Sequence, residues 1–146
     1  MDSKPVVVGI DGSADSVRAL RWAAEYADRF GAPLEALTVY ELQNVYGPYA
    51  MAGSVDSDVL KKRAHDALST AVRDALGDEA DVVRRVEQGH PAKALVAASR
   101  EAQLVVVGSR GHGGFAGLLL GSVSQHCVTH ASCPVIVLPH QGADEA

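Results

Sequence analysis

Two short runs of this sequence consist almost wholly of β-branched and aliphatic residues: Val6-Val7-Val8-Gly9-Ile10 near the start and Leu104-Val105-Val106-Val107 late in the chain. A strand with one wet face alternates polar with apolar residues, so a strand without that alternation is covered on both faces. Strands of this kind belong to parallel sheets sandwiched by helices, the arrangement that strand–helix–strand crossovers generate. The intervening segments follow suit. Ser13 is placed to cap a helix that Gly31 stops. Ala19, Trp22, Ala23, Tyr26 and Phe30 form its apolar stripe, opposite Arg18, Arg21, Glu25 and Asp28, which puts Trp22 and Phe30 in the expected core. Leu34 to Tyr40 reads as a second strand. A helix from Asp56, with Leu60, Ala64, Ala67, Leu68, Ala71 and Ala75 on one stripe, ends at Gly77. Asp81 to Glu87 is a third strand, polar enough for a sheet edge. Pro91 opens a third helix with Ala94, Leu95 and Ala98 inward. A short helix from Gly121 to Ala131 and a last strand from Pro134 to Leu138 complete the pattern.

The first and fourth strands are the most apolar, so they are expected side by side at the centre. Right-handed crossovers then give the order 3-2-1-4-5. The predicted fold is α/β: a doubly wound five-stranded parallel sheet with helices on both faces, forming a single domain over residues 1–146. The direction of winding reverses between strands 1 and 4. In open α/β sheets, ligands bind at that switch point, beyond the carboxyl ends of the strands. The loops after Ile10 and Val107 are therefore the expected site.

Charge and composition exclude several partners. With 13 Lys and Arg against 18 Asp and Glu, the formal charge is −5, which argues against nucleic acid or a membrane surface. No apolar run approaches the ~20 residues of a membrane span, and Met1-Asp2-Ser3-Lys4-Pro5 lacks a signal-peptide pattern, so a cytoplasmic location is expected. Cys127 and Cys133 are too few for a disulfide scaffold and read as small buried thiols. His126 and His130 share a helix face as zinc ligands can, but no glutamate follows His126 and no third ligand is specified. Lys61-Lys62-Arg63 reads as a solvated helical face.

Six of the 14 glycines lie between Gly108 and Gly121. Glycine lets backbone N–H groups approach a ligand with no Cβ in the way. The helix starting at Gly121-Ser122 points unpaired amides and the positive end of its dipole at the switch point, which makes an anion cradle suited to phosphate. Ser122 and Ser124 add hydroxyl donors, and Arg110 and His112 are either phosphate partners or exposed loop charges. The stretch is not a Walker A loop, having no Gly-Lys-Ser/Thr. Gly111, Gly113 and Ala116 fit G-x-G-x-x-A, but Leu118-Leu119-Leu120 separates them from the helix, so a dinucleotide fingerprint is rejected. The long Glu41–Val55 segment, with Gly47, Pro48 and Gly53, is of a length that tends to be functional.

Gly108-x2-Gly111-x9-Gly121-Ser122 matches the G-x2-G-x9-G-[S/T] signature, and with it the chain resembles the ATP-binding universal stress proteins, the UspA-like domain. Val6 to Ser13 looks like that family's first strand and acidic turn, Gly89-His90-Pro91 its entry to the third helix, Leu120 to Ser124 its phosphate helix, and Cys133 to Val137 its last strand. The resemblance implies a UspA-like nucleotide-binding domain over the whole chain. It implies that Asp11 contacts ribose or a phosphate-bound Mg²⁺, and that Val39 offers backbone groups to adenine. Gly108 would lie along the ribose, while Gly111, Gly121, Ser122, Val123 and Ser124 cradle the phosphates. ATP, ADP, AMP or cyclic AMP is the implied ligand. It further implies a homodimer through the strand Pro134–Leu138, and a stress or signalling module that acts on an unknown protein partner. The residues themselves leave Asp11 open as a plain turn residue of Asp11-Gly12. No nucleophile–base–orienter set is visible, so at most slow ATP hydrolysis is expected. Two alternatives remain. One is an adenylating enzyme, since Asp11-Gly12-Ser13-Ala14-Asp15-Ser16 looks like the S-G-G-x-D-S loop of ATP pyrophosphatases; the other is a dimerisation scaffold with a vestigial pocket.

Overall fold

The computed structural model describes residues 3–41, 57–110 and 120–140. Gly111, His112, Asp56 and most of the Glu41–Val55 and Gly108–Gly121 segments lie outside the described residues. The elements run β1 (Val6–Gly9), α1 (Ala14–Phe30), β2 (Leu34–Tyr40), α2 (Ser57–Leu76), β3 (Val83–Gln88), α3 (Pro91–Ser99), β4 (Leu104–Gly108), α4 (Ser122–His130) and β5 (Val135–Leu138). They form a five-stranded sheet in the order β3-β2-β1-β4-β5, parallel at every pairing. Val6 lies between Leu34 and Leu104, and Val8 between Ala36 and Val106.

The absence of alternation in β1 and β4 is explained by two cores, one on each face. Val6, Val8, Leu34, Ala36 and Val106 pack with Leu20 and Ala23 of α1 and Leu68 and Val72 of α2. The residues between them, Val7, Leu37, Val105 and Val107, pack with Leu95 and Ala98 of α3 and Cys127 of α4. Val6, Val7, Val8, Val105 and Val106 are all completely covered. Each such side chain contributes about 1.5 kcal/mol or more of burial free energy. β3 forms one edge of the sheet, as its polarity predicts, with Val83 half exposed.

The α1 stripe needs correcting. The buried face is Asp15, Ser16, Ala19, Leu20, Ala23 and Ala27, whereas Trp22 and Tyr26 are only partly covered and Phe30 is 63% exposed. Alanines at 19, 23 and 27 let the helix lie close on the sheet, so packing selects the small-residue arc over the aromatic one. Trp22 and Tyr26 still pack against the margin of that core, and the aromatics stack on one another along the flank, with centroids 5.4 Å apart for Trp22–Tyr26 and 4.6 Å for Tyr26–Phe30. On α2 the buried residues are Leu68 and Val72, while Ala67 faces solvent. Both helices end as expected: Gly31 and Gly77 take positive φ of +66° and +93°, conformations that L side chains rarely adopt.

Cys127 and Cys133 are both free thiols, Cys127 fully buried. Burial, reinforced by the neighbouring Cys133, pushes the Cys127 thiol up to about 11. The His126 and His130 rings lie 4.5 Å apart, and no group of three or more His, Cys, Asp or Glu able to hold a metal occurs among the described residues. No described helix is long and apolar enough to cross a membrane.

Candidate functional site

β1 and β4 are neighbours, but β1 leads into a helix on one face and β4 towards a helix on the other. The divergence opens a cleft of about 360 Å³ at their carboxyl ends, within the size range of small-molecule sites. Its apolar wall is built from Leu37 and Val39 of β2, Leu95 of α3 and Val107 of β4. Gly9 makes room for that wall: a Cβ there would sit 3.1 Å from Leu95 Cδ1. Polar groups enter from the β1–α1 turn (Asp11, Ser13, Ser16), from Glu41 after β2, and from Gly108, Arg110 and the first turn of α4. Asp11, Val39, Gly108, Gly121, Ser122, Val123 and Ser124 are thus brought together around one space. Gly111 lies outside the described residues.

The β1–α1 turn is bonded to itself. Asp11 Oδ1 accepts from the Ser13 N–H at 2.9 Å and from the Ser13 hydroxyl at 2.5 Å. Ser13 Oγ in turn caps α1 by accepting the Ser16 N–H at 3.2 Å. The Ser16 hydroxyl donates to the Ser13 carbonyl at 2.8 Å and accepts the Asp11 N–H at 3.3 Å. Gly12 supplies the positive φ, +86°, that the turn requires. Asp11 therefore serves the turn and lines the cleft at once. Of the two hydroxyl positions in a pyrophosphatase-like S-G-G-x-D-S loop, the first is here Asp11, and the hydroxyl at the second, Ser16, is bonded within the turn.

The β4–α4 side is organised differently. The Ser109 carbonyl accepts both the Gly121 N–H and, at 2.9 Å, the Ser124 hydroxyl. Ser124 is buried, and its Oγ lies 3.0 Å from the Gly121 carbonyl as well. That hydroxyl, expected to face a ligand, instead fastens the first turn of α4 to the end of β4. The first bond inside α4 runs from the Gln125 N–H to the Gly121 carbonyl at 2.9 Å, and no side chain caps the helix. The amides of Ser122, Val123 and Ser124 consequently have no partner among the described residues. They carry the positive end of the helix dipole into the cleft.

Gly108 has a packing duty that the sequence did not advertise. A Cβ there would stand 2.8 Å from Asp15 Cβ and 3.1 Å from the Asp15 backbone. Asp15 is a buried carboxylate, only 5% exposed. Its Oδ2 lies 2.8 Å from His140 Nδ1 and its Oδ1 3.4 Å from Arg18 Nη1. Arg18 Nη1 also donates to the Pro139 carbonyl at 2.8 Å, tying the segment after β5 to α1.

Glu41, Leu95 and Val107 also line the cleft, although no sequence motif singles them out, and Ser13 and Ser16 of the β1–α1 turn join them. Glu41 and Val107 lie at the carboxyl ends of β2 and β4, so the strand-end rule could have found them. Leu95 gave no such signal, because its place depends on how closely α3 approaches Gly9.

The comparisons with known proteins agree with this architecture. Residues 3–139 match the universal stress protein family. The chain is 35% identical, over 146 residues, to a universal stress protein of Mycolicibacterium smegmatis, covering 97% of this chain and 49% of that protein. It spans about half the length of the curated relatives it matches. Among solved structures, UspA of Lactobacillus plantarum superposes with a TM-score of 0.77 over 94% of this chain and 99% of that one, at 24% identity, a likeness of fold. A universal stress protein solved in complex with cAMP is 30% identical, with a TM-score of 0.60 over 95% of this chain and 98% of that one. On its sequence and its sheet alike, the chain belongs to the universal stress protein family.

Proposed function

We propose that the cleft binds an adenine nucleotide, ATP or the related ADP, AMP or cyclic AMP, and that the protein works as a nucleotide-dependent stress or signalling module. The observation that carries this reading is the set of unpartnered amides of Ser122, Val123 and Ser124 at the uncapped start of α4. Such a terminus has donors to satisfy and a dipole that favours an anion. The apolar wall of Leu37, Leu95 and Val107 gives a purine a dry surface, with the Val39 backbone at its edge. Gly108 then lies along the ribose, and Asp11 accepts from its hydroxyls. A Mg²⁺ accompanying the phosphates would be held by them together with Asp11. Gly111 belongs to the same cradle by sequence. The cAMP complex of a 30% identical relative supports the choice of an adenine ligand. A micromolar complex needs about −8 kcal/mol, within reach of a buried purine and several amide–phosphate bonds.

In this reading the module binds nucleotide and at most hydrolyses it slowly. Nucleotide changes the surface around the cleft, where the segments at Glu41–Val55 and Gly108–Gly121 enter, and a protein partner reads the change. A second copy pairs along β5, an edge strand whose residues Val135 to Leu138 are all only half-buried. Heat extraction of the purified protein, with chromatography of the released small molecules, tests the ligand: an adenine nucleotide is expected. The absence of both extracted nucleotide and calorimetric binding of added ATP or AMP would contradict the reading. Sedimentation at micromolar concentration tests the dimer, which a monomer would refute.

A further inference from the structure

Away from the cleft, α4 carries a second arrangement of unspent groups. His126 and His130 are one helical turn apart, so both rings leave the same face of the helix. His130 is exposed and His126 half-buried, which leaves ring edges open to solvent. Their ring centres lie 4.5 Å apart, with the planes tilted by 45°. Neither ring takes part in a hydrogen bond or ion pair with another described residue. His90 and His140 differ in this respect: His90 Nδ1 accepts the Ala92 N–H, and His140 Nδ1 meets Asp15. Apart from its histidines, α4 has no lysine, arginine or carboxylate. Its C-terminal turn, where His130 stands, bears the negative end of the helix dipole, which favours a cation.

We propose that His126 and His130 form a two-imidazole chelate for a divalent transition metal of the nickel and copper class, with water completing the coordination. Imidazole nitrogen suits these metals, whereas Mg²⁺ and Ca²⁺ take oxygen ligands. The ring separation sets the geometry. A ring centre stands about 3 Å from an ion that its nitrogen ligates, so centres 4.5 Å apart subtend about 90° at that ion. Adjacent positions of a tetragonal or octahedral ion make that angle, and a tetrahedral zinc site opens wider. A structural zinc site is also closed by protein ligands on every side. Here no third His, Cys, Asp or Glu joins the pair among the described residues. Cys127, although next to His126 in sequence, is fully buried among the core residues of the opposite face. What the helix offers is an open chelate. Neither histidine lines the cleft, and His126 stands about 6 Å along the axis from Ser122, so the site needs no nucleotide.

The test is calorimetric titration of the untagged, nucleotide-free protein with NiCl₂. Ni²⁺ is preferred to Cu²⁺ because it does not oxidise the two free thiols. Wild type is compared with His126→Gln, His130→Gln and Cys133→Ser, each first matched to it by circular dichroism. The wild type should take up one Ni²⁺ per chain, and either histidine variant should bind it roughly tenfold or more weakly, because the chelate is lost. Cys133→Ser should bind as the wild type does. Saturating Ni²⁺ should also raise the thermal midpoint of the wild type and leave both histidine variants unmoved, since a metal held by the native helix stabilises the fold. Absence of binding to the wild type at millimolar Ni²⁺ overturns the proposal. So does binding that survives both histidine substitutions, that weakens in only one of them, or that weakens in Cys133→Ser.

Discussion

The turn from β1 into α1 and the turn from β4 into α4 both follow a central strand, and both deliver a helix N-terminus to the same cleft. In the first, Ser13 caps the helix, Asp11 holds Ser13, and Ser16 closes back on both. In the second, Gly121 has no side chain to cap with, Ser124 bonds away from the cleft, and Arg110 Nε has no acceptor. One side has committed its hydrogen-bonding capacity to its own geometry. The other keeps amides and a guanidinium nitrogen open. Unsatisfied donors cost free energy in the empty protein, so a fold that retains them where a cleft opens is arranged for something else to satisfy them. Changes on the closed side should therefore register first as lost stability, and changes on the open side as lost binding.

The largest effect is expected at Gly108, which belongs to both turns because α1 packs against it. Gly108→Val forces side-chain atoms into Asp15 and should cost about 3 kcal/mol in urea denaturation, as overpacked sites do. Stability within error of wild type would show that α1 gives way freely. Next comes Gly121→Val, which puts a branched side chain on the buried cap residue of α4. Nucleotide affinity should fall roughly a hundredfold, about 2.7 kcal/mol, with the far-UV circular dichroism unchanged. Undiminished binding would mean that the α4 terminus is not the cradle. Ser13→Ala removes the cap of α1 and should cost about 1 kcal/mol, read as a lower urea midpoint. No change there would break the contrast between the two turns.

A further effect is a pH dependence on the α4 side, where Cys127 helps to hold the helix by being buried. Its folded thiol is pushed up to about 11 from an ordinary 9.0. The folded protein therefore binds the proton more tightly than the unfolded chain. Its contribution to stability is complete below pH 9 and is lost as pH rises towards 11. The stability difference between wild type and Cys127→Ala should shrink across that window. A difference that stays constant would show that the thiol does not titrate with folding.

The sheet order was legible because β1 and β4 lack alternation, a pattern that a strand covered on both faces produces and others do not. The ends of α1 were legible from Ser13 and Gly31 for equally local reasons. The face that α1 buries was not. Hydrophobic periodicity weighs Trp22, Tyr26 and Phe30 heavily, but the sheet accepts a helix by how closely it can approach, which favours Ala19, Ala23 and Ala27. At the cleft, strand ends and glycines pointed to the right loops, while the state of individual groups stayed hidden. The engagement of the Ser124 hydroxyl with Ser109 and the burial of Arg110 Nε depend on where α4 meets β4. The Asp15–His140 contact joins residues 125 positions apart, and nothing local announces it.

The most direct measurement is a set of ¹H–¹⁵N correlation spectra of the isotopically labelled protein, recorded through the backbone amides and the arginine Nε–H while ATP is added. The largest shifts should fall on the amides of Ser122, Val123 and Ser124 and on Arg110 Nε, with the Ser13 and Ser16 amides moving less. Shifts concentrated on the β1–α1 turn, or absent from α4 at saturating nucleotide, would contradict the assignment of the phosphates to the open side.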